Sequence, residues 1–332
     1  MQKKQTSFSF PVFTFNHERY IIEHLESIKY QIEKYGEGIM VDILINDDAS
    51  GDRTVEFIEK WIEINKNLFH RIVLNFNKIN KGTCASIIDL FSLLETEFFK
   101  PTAGDDIYSY ENVFEAALID EATAFVTGFP LFIENGVLRE SFLSNLLMIA
   151  TNVVYARQGT LKQFVNFSYN NAPNMFYSLA CVQDKRVINF LQKFDVTEDW
   201  PLQISISRYF PEKKIKYIDK VFVYYRRTLG STYIVANKRF VDDKLKIYRD
   251  LIENSNGVFE KLILKSRIIA FKNNNKLLSK LINLELYRFS FFSFLNTYKI
   301  SRYFLNLNLK RNEHEEHLEM IRNLALVFHT KY

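Results

Sequence analysis

The chain has 332 residues, of which 47% are hydrophobic and 25% charged, with a formal charge of +4. That is enough for one large domain and a smaller appendage, and it excludes a disordered, collagen-like or fibrous chain. Only Cys84 and Cys181 carry thiols, with no partner at ligand spacing, so neither a disulfide framework nor a zinc site is suggested and a reducing, cytoplasmic setting is expected. No stretch has the unbroken apolar length of a membrane span, and so small a net charge gives no ground for nucleic-acid binding.

Residues 8–15 read as a first core strand: Ser7, Ser9 and Thr14 interrupt the apolar run that a leader peptide would keep. Residues 18–34 carry Tyr20, Ile21, Leu25, Ile28 and Ile32 at helical spacing, and 41–45 is a short apolar run suited to a strand buried on both faces. A polar turn from Asp47 to Asp52 precedes a helix over 54–64. A strand at 72–76, a helix over 82–94 and a fourth strand at Phe98-Phe99 follow, the last ending near Gly104-Asp105-Asp106. This alternation predicts an α/β fold with a mostly parallel, Rossmann-like sheet covered by helices. Beyond residue 235 helical patterns take over, broken at 254–257 and 273–275. We expect a catalytic domain over 1–235 and a helical appendage over 236–332.

Ligands of parallel sheets bind outside the carboxyl ends of the strands. Four polar clusters fall there: Thr14 to Asn16, Asp47-Asp48, Asn77 to Asn80 and Asp105-Asp106. The glycine before Asp105-Asp106 permits a tight turn that aims both carboxylates at one site, as Mg²⁺ or Mn²⁺ bound to a nucleotide diphosphate requires. Taken alone, Gly-Asp-Asp is also an ordinary solvated turn.

The ordered set Val12-Phe-Thr-Phe-Asn-His-Glu-Arg-Tyr-Ile21, Ile43-Leu-Ile-Asn-Asp-Asp-Ala-Ser-Gly-Asp-Arg-Thr54, Asn80-Lys-Gly82 and Gly104-Asp-Asp-Ile-Tyr108 resembles the family 2 glycosyltransferases of the GT-A fold. The resemblance continues through Phe194-Asp195, Glu198-Asp199-Trp200 and Tyr225-Arg226 to Gly230-Ser231. It implies an inverting transfer of a sugar from a nucleoside diphosphate donor, uridine-linked by preference, to a saccharide or lipid-linked acceptor during surface polysaccharide assembly.

By position, the resemblance implies that Thr14, Phe15 and Asn16 line the donor's base pocket and that Asp48 accepts a hydrogen bond from the base. It places Asp105 at the ribose or sugar and Asp106 on the metal, Mn²⁺ or Mg²⁺. Ser50 and Asp52 suffice to cap the helix at Thr54, which leaves Asp48 for a ligand. Glu198-Asp199 opens a helical run, where acids also occur for the dipole. The resemblance makes Asp199, with Glu198 beside it, the base that takes the acceptor proton. Trp200 is either an acceptor platform or a core anchor, and Arg226 and Arg227 are either diphosphate contacts or solvated charges.

Two departures stand out: Ala103 replaces the first acid of the family's Asp-x-Asp, and Thr228 stands where a histidine is frequent. They keep a non-catalytic, nucleotide-sugar-binding scaffold in view as a rival. A sugar nucleotidyltransferase is disfavoured, because its Gly-rich loop is missing near residues 12–22. His314 and His317, among Glu313, Glu315, Glu316 and Glu319, read as a solvated helix face.

Residues 261–311 interleave lysines and arginines with aromatics, and Glu285 is their only acid. Two readings of this tail are equal at the level of sequence. One is an anionic membrane surface, with the protein peripheral to its cytoplasmic face; the other is a packed helical interior against the domain or a second copy. No nucleic-acid module is recognisable there.

Overall fold

The computed structural model describes residues 7–227 and 238–332, so Thr228, Gly230 and Ser231 lie outside the described residues. Eleven strands occur among the described residues: β1 (Ser7–Thr14), β2 (Met40–Asp47), β3 (Arg71–Phe76), β4 (Thr102–Ala103), β5 (Ile107–Tyr108), β6 (Thr123–Thr127), β7 (Leu131–Glu134), β8 (Val137–Arg139), β9 (Met175–Tyr177), β10 (Lys214–Tyr217) and β11 (Val223–Arg226). The first four form one parallel sheet in the order β3-β2-β1-β4.

Side chains alternate across these strands, as the two-residue period of a strand requires. Phe8, Phe10 and Val12 of β1 and Val41, Ile43 and Ile45 of β2 face one core with the helices Ile21–Tyr35 and Thr54–Asn65. Leu44 faces the other, with Leu90 and Phe91 of the helix Thr83–Leu93 and Ile204 and Ile206 of the helix Asp199–Tyr209.

The fourth strand is interrupted, for a reason visible in its neighbour. Ser9 bonds to Phe98 and Lys100, and Phe13 accepts from Gly104, but between them the ladder position belongs to Pro11, which has no N–H. The Lys100 carbonyl that a Pro11 N–H would have met takes the Tyr108 hydroxyl at 2.8 Å instead. The strand therefore exists as a bridge at Phe99 and the short β4.

Two smaller sheets lie beyond it, ordered β10-β6-β9 and β5-β11-β7-β8, each mixing parallel and antiparallel pairs. β11 matters most for the site, since it runs from the third core into the turn at Asp105-Asp106.

The C-terminal helices pack directly on this framework. The helix Lys238–Glu253 buries Ile247, Tyr248 and Leu251 in the second core, and the helix Arg311–Lys331 places Ala325 and Phe328 in the first. The breaks fall where the asparagines predict them. Asn275, for example, caps the helix Lys276–Ile282 by accepting from the N–H groups of Leu277 and Leu278.

One expectation fails in this region. His314 and His317 are buried, both ring Nδ1 atoms lying at the Tyr224 hydroxyl, 2.9 and 3.2 Å away. Burial pushes them down to about 4 and about 3, so they pack as neutral aromatics and do not form a solvated face. The glutamates around them carry the helix's polar side.

Candidate active site

The strand ends of the parallel sheet are level. Thr14 pairs with Asp47 and Asp47 with Phe76. The N–H groups of Asp48, Asn77 and Gly104 each donate across to the neighbouring strand, at 2.9 Å, on Thr14, Asp47 and Phe13. Every loop that the sequence marks as polar thus starts from one edge.

The first two loops are stitched together by side chains. Asn16 N–H donates to Ser50 Oγ and Gly51 N–H to Asn16 Oδ1, each at 2.8 Å; His17 N–H donates to Thr54 Oγ1 at 2.8 Å. Ser50 hydroxyl and N–H both donate to Asp47, so Ser50 joins the loops and does not cap the helix. Asp52 remains at the helix start, accepting from Thr54 N–H at 3.0 Å. Asn16 and Ala49 take left-handed backbone conformations, with φ of 55° and 65°. An alanine held there costs about 1–2 kcal/mol, which marks the rim as a place where the surroundings dictate geometry.

Asp48 is buried and serves the third loop. Its Oδ1 accepts from Lys81 N–H at 2.8 Å and Asn77 Nδ2 at 3.0 Å, and its Oδ2 accepts from Gly82 N–H at 2.8 Å. A carboxylate offers about four acceptor positions, so three are used. Gly82 sits at φ 91°, and a Cβ there would lie 2.3 Å from Asp195 Oδ1 and 2.4 Å from the Asp195 carbonyl. Only glycine lets the third loop lie against residue 195.

From there one ion pair and a set of hydrogen bonds run to the second acid cluster. Arg239 donates to Asp195 and, at 2.9 Å, to Asn80 Oδ1. Asp243, on the same helix and fully buried, accepts from the N–H groups of Asp195 and Val196 at 2.8 Å and Thr197 at 3.2 Å. The segment 195–197 leads straight into Glu198 and Asp199. Helix Lys238–Glu253 therefore positions both the donor-side loop and the acid pair.

At the fourth strand end the two aspartates point differently. Asp105 faces the rim, its Oδ1 3.9 Å from His17 Nε2, while His17 Nδ1 lies 3.1 Å from Thr14 Oγ1. Asp106 is buried: its Oδ1 accepts from Arg226 N–H at 2.8 Å and its carbonyl from His24 Nδ1 at 2.8 Å. Burial and then the charge of Asp105 push the Asp106 carboxyl well above the usual range, against the pull of Arg226 and Lys100. Lys100 is itself fully buried, its ammonium donating to the Pro101 carbonyl at 2.7 Å, and burial lowers it to about 7.

Arg226 does not reach outward. Its Nε donates to the Asp105 carbonyl at 2.7 Å, its guanidinium pairs with Glu23 and covers the Tyr20 ring at 4.3 Å, and it is 6% exposed. In place of the expected diphosphate contact, Arg226 holds the acidic turn from beneath. Arg227 pairs with Glu134 at 2.9 Å and lies over Phe132.

Asp105 and Asp106 provide hard oxygen donors on consecutive residues. That donor set suits Mg²⁺ or Mn²⁺, with water and diphosphate oxygens completing the shell. Among the described residues no group of three or more His, Cys, Asp or Glu is placed to hold a metal by itself.

The Glycosyl transferase family 2 profile matches residues 9–175, just over half of the chain. The chain belongs to glycosyl transferase family 2. Among solved structures it is similar to S. aureus TarS 1–349 in complex with UDP-GlcNAc, at 20% identity over 80% of this chain and 72% of that one, with a TM-score of 0.53. The same S. aureus protein in complex with UDP is 18% identical over 98% of this chain and 92% of its own, with a TM-score of 0.53. The mannosyltransferase PcManGT from Pyrobaculum calidifontis, in complex with GDP-Man and Mn²⁺, is 14% identical over 98% and 87%, with a TM-score of 0.55. These likenesses establish the GT-A fold. No curated protein matches.

In this family 2 chain the second acid pair opens the helix Asp199–Tyr209, Asp199 Oδ1 accepting from Trp200 N–H at 2.6 Å. Burial and then the neighbouring Asp199 push Glu198 up to about 8, against Lys244. Trp200 donates to the Phe164 carbonyl at 2.7 Å and lies under Lys244, 4.5 Å from its ring, so half of it is an anchor and half borders the acids. Because Glu198 keeps a proton that the unfolded chain loses above about 4.5, its stabilising effect is complete below about 4.5 and disappears as pH rises through about 8. Thermal midpoints of the wild type should fall across this interval more steeply than those of Glu198→Gln. Parallel slopes would remove the raised carboxyl from the account.

Lys100, Glu23, Arg239 and Asp243 belong to the site but do not emerge from sequence. Asp243 had a signal: it shares the helical stripe of Ile247 and Leu251, where an acid needs buried partners. Lys100, set between Phe98-Phe99 and the acidic turn, had a similar one. Glu23 had none.

Proposed function

We propose that this chain is an inverting, metal-assisted transferase that moves a sugar from a nucleoside diphosphate donor to a saccharide hydroxyl. The observation that carries it is the meeting of Asp48, Asp105 and Asp106 on one sheet edge, tied through Gly82, Asp195 and Asp243 to Glu198 and Asp199. Thr14, Phe15 and Asn16 edge the base pocket, and the acceptor position that Asp48 keeps free suits a base ring N–H. A divalent cation on Asp105 and Asp106 would share the diphosphate charge as it departs.

The acceptor oxygen bonds to the anomeric carbon while the bond from that carbon to the diphosphate oxygen breaks, and the acceptor proton passes to Asp199. Burial and the charge of Asp199 favour a proton on Glu198, and Asp199 is the member of the pair we assign as base, since two adjacent acids separate their roles by environment. Arg226 and Lys100 act as positioning residues beneath the turn. A uridine-linked donor is our choice, in keeping with the UDP bound to TarS. Surface polysaccharide assembly at the cytoplasmic face of a membrane is the setting we assign.

A panel of uridine-, guanosine- and thymidine-linked sugars with Mn²⁺ tests this, reading nucleoside diphosphate release by the wild type and by Asp105→Asn and Asp106→Asn. We expect release from one uridine-linked sugar, reduced at least a hundredfold in both variants and stopped by chelation. No release from any donor with candidate acceptors present, together with no nucleotide heat in calorimetry, would favour a scaffold. Release insensitive to chelation would remove the metal.

A further inference from the structure

Three C-terminal helices leave apolar stripes uncovered, and the short helix Lys276–Ile282 between the first two also exposes Leu277 and Leu281. On Val258–Lys272 the residues Val258, Leu262 and Ile269 share one exposed face with Lys265 and Lys272, at spacings of three and four. On Leu284–Leu295 the exposed face carries Tyr287, Phe291 and Phe294, while Glu285 and Phe289 turn inward; on Thr297–Asn306 it carries Tyr298, Arg302 and Leu305. Phe294 and Tyr298 are each 76% exposed. Val258–Lys272 touches Leu284–Leu295, with Leu284 N–H donating to Ser266 Oγ at 3.1 Å, and Leu284–Leu295 touches Thr297–Asn306, so the uncovered stripes lie on packed neighbouring helices.

Charge selects the occupant. Between 261 and 311 the only acid is Glu285, and it is buried on Arg288 and the Phe167 N–H. From 261 to 306 the exposed ions are all cations, Lys265, Lys272, Lys276, Lys280, Lys299 and Arg302, and Glu260 at the start of the first helix is the one exposed acid of the 258–306 segment. A second copy apposed across a two-fold axis would bring like charges together and leave them without counter-charge. A bilayer with anionic headgroups accepts both the cations and the aromatics, and helices of this length lie in its interface without crossing it.

We propose that the outer face of residues 258–306 docks the protein on an anionic lipid surface. The same helix Val258–Lys272 carries Arg267 on its inner side, over the Trp200 ring at 5.6 Å. The lipid face is therefore about 10 Å, one helix diameter, from the side of the cleft that holds Glu198 and Asp199. Docking presents that side to an acceptor carried in the bilayer, a consequence that rests on the transferase reading.

The test is co-sedimentation of the full chain, without donor, with vesicles of phosphatidylcholine alone or in equal parts with phosphatidylglycerol. Binding should require the anionic lipid and weaken steeply between about 0.1 M and 1 M salt. The variant Lys272→Gln/Lys276→Gln/Lys280→Gln should lose about a hundredfold in partition, about fivefold per lysine. Phe291→Ser/Phe294→Ser/Tyr298→Ser should also release the protein, while both variants keep the wild-type circular dichroism. Equal binding to neutral vesicles, unchanged binding by both variants, lipid-free dimers that these variants dissolve, or tighter binding to single-stranded RNA would each overturn the proposal. Sugar transfer plays no part in this readout, so an inactive enzyme that still docks would fail only the transferase reading.

Discussion

Replacing Asp199 by asparagine will leave nucleotide affinity within about twofold of wild type and lower turnover about 10²- to 10⁴-fold, the usual contribution of a positioned general base. The amide keeps the size of the side chain, and its oxygen can still accept the Trp200 N–H, so the helix start at Asp199 survives. What it loses is the capacity to take a proton. Calorimetric titration with the nucleoside diphosphate and steady-state turnover on the same preparation separate the two effects. Glu198→Gln is the companion measurement: glutamine imitates the protonated acid that burial and Asp199 favour, so its turnover should fall far less. If Asp199→Asn transfers normally and Glu198→Gln does not, the base is Glu198 and the division of roles is reversed.

Asp48→Ala should be the most damaging substitution on the donor side. It strands three donors, the N–H groups of Lys81 and Gly82 and the Asn77 amide, around a carboxylate that is itself buried. Hydrogen bonds to a charged group contribute about 1.5–3 kcal/mol each, and not additively, so a loss of about 3–5 kcal/mol is expected in urea unfolding. Donor affinity should drop at least a hundredfold, because the loop that Asp48 fixes also contacts Asp195 and Arg239. Asp48→Asn makes the distinction sharper. One of its two terminal atoms must become a donor and oppose an N–H, so it should destabilise nearly as much despite its matching shape. A urea midpoint unchanged in both variants would show that the loop is held by other means.

Local pattern made much of the framework legible. The apolar runs at 8–15, 41–45 and 72–76 and the helical stripes between them describe elements that bury one or both faces, with asparagine and glycine at several of their ends. The same reasoning failed where a residue's partner is remote. His314 and His317 sit among glutamates in sequence, yet the ring of Tyr224, some ninety positions away, converts their side of the helix to interior. Arg226 looked free because its partners, Glu23 and the Asp105 carbonyl, are more than a hundred residues distant.

The acids at the rim are a further case. Sequence places Asp105 and Asp106 at a strand end after a glycine, and their order among the polar loops identifies the family. It does not say that one faces the rim while the other is buried over Lys100. That depends on β11 arriving alongside to offer the Arg226 N–H.

By itself the sequence determined the parallel sheet, the converging loops and the family, because those rest on periodicity and on short motifs whose members are neighbours along the chain. Only the tertiary structure decided which carboxylates are exposed and buried. It also decided that Asp243 of the C-terminal helix sets the segment leading to Glu198 and Asp199, and that the basic aromatic face of 258–306 looks outward. Burial and counter-charge are properties of what a side chain meets across the fold, and desolvation, the largest influence on the acids Asp106 and Glu198, exists only once those surfaces have closed.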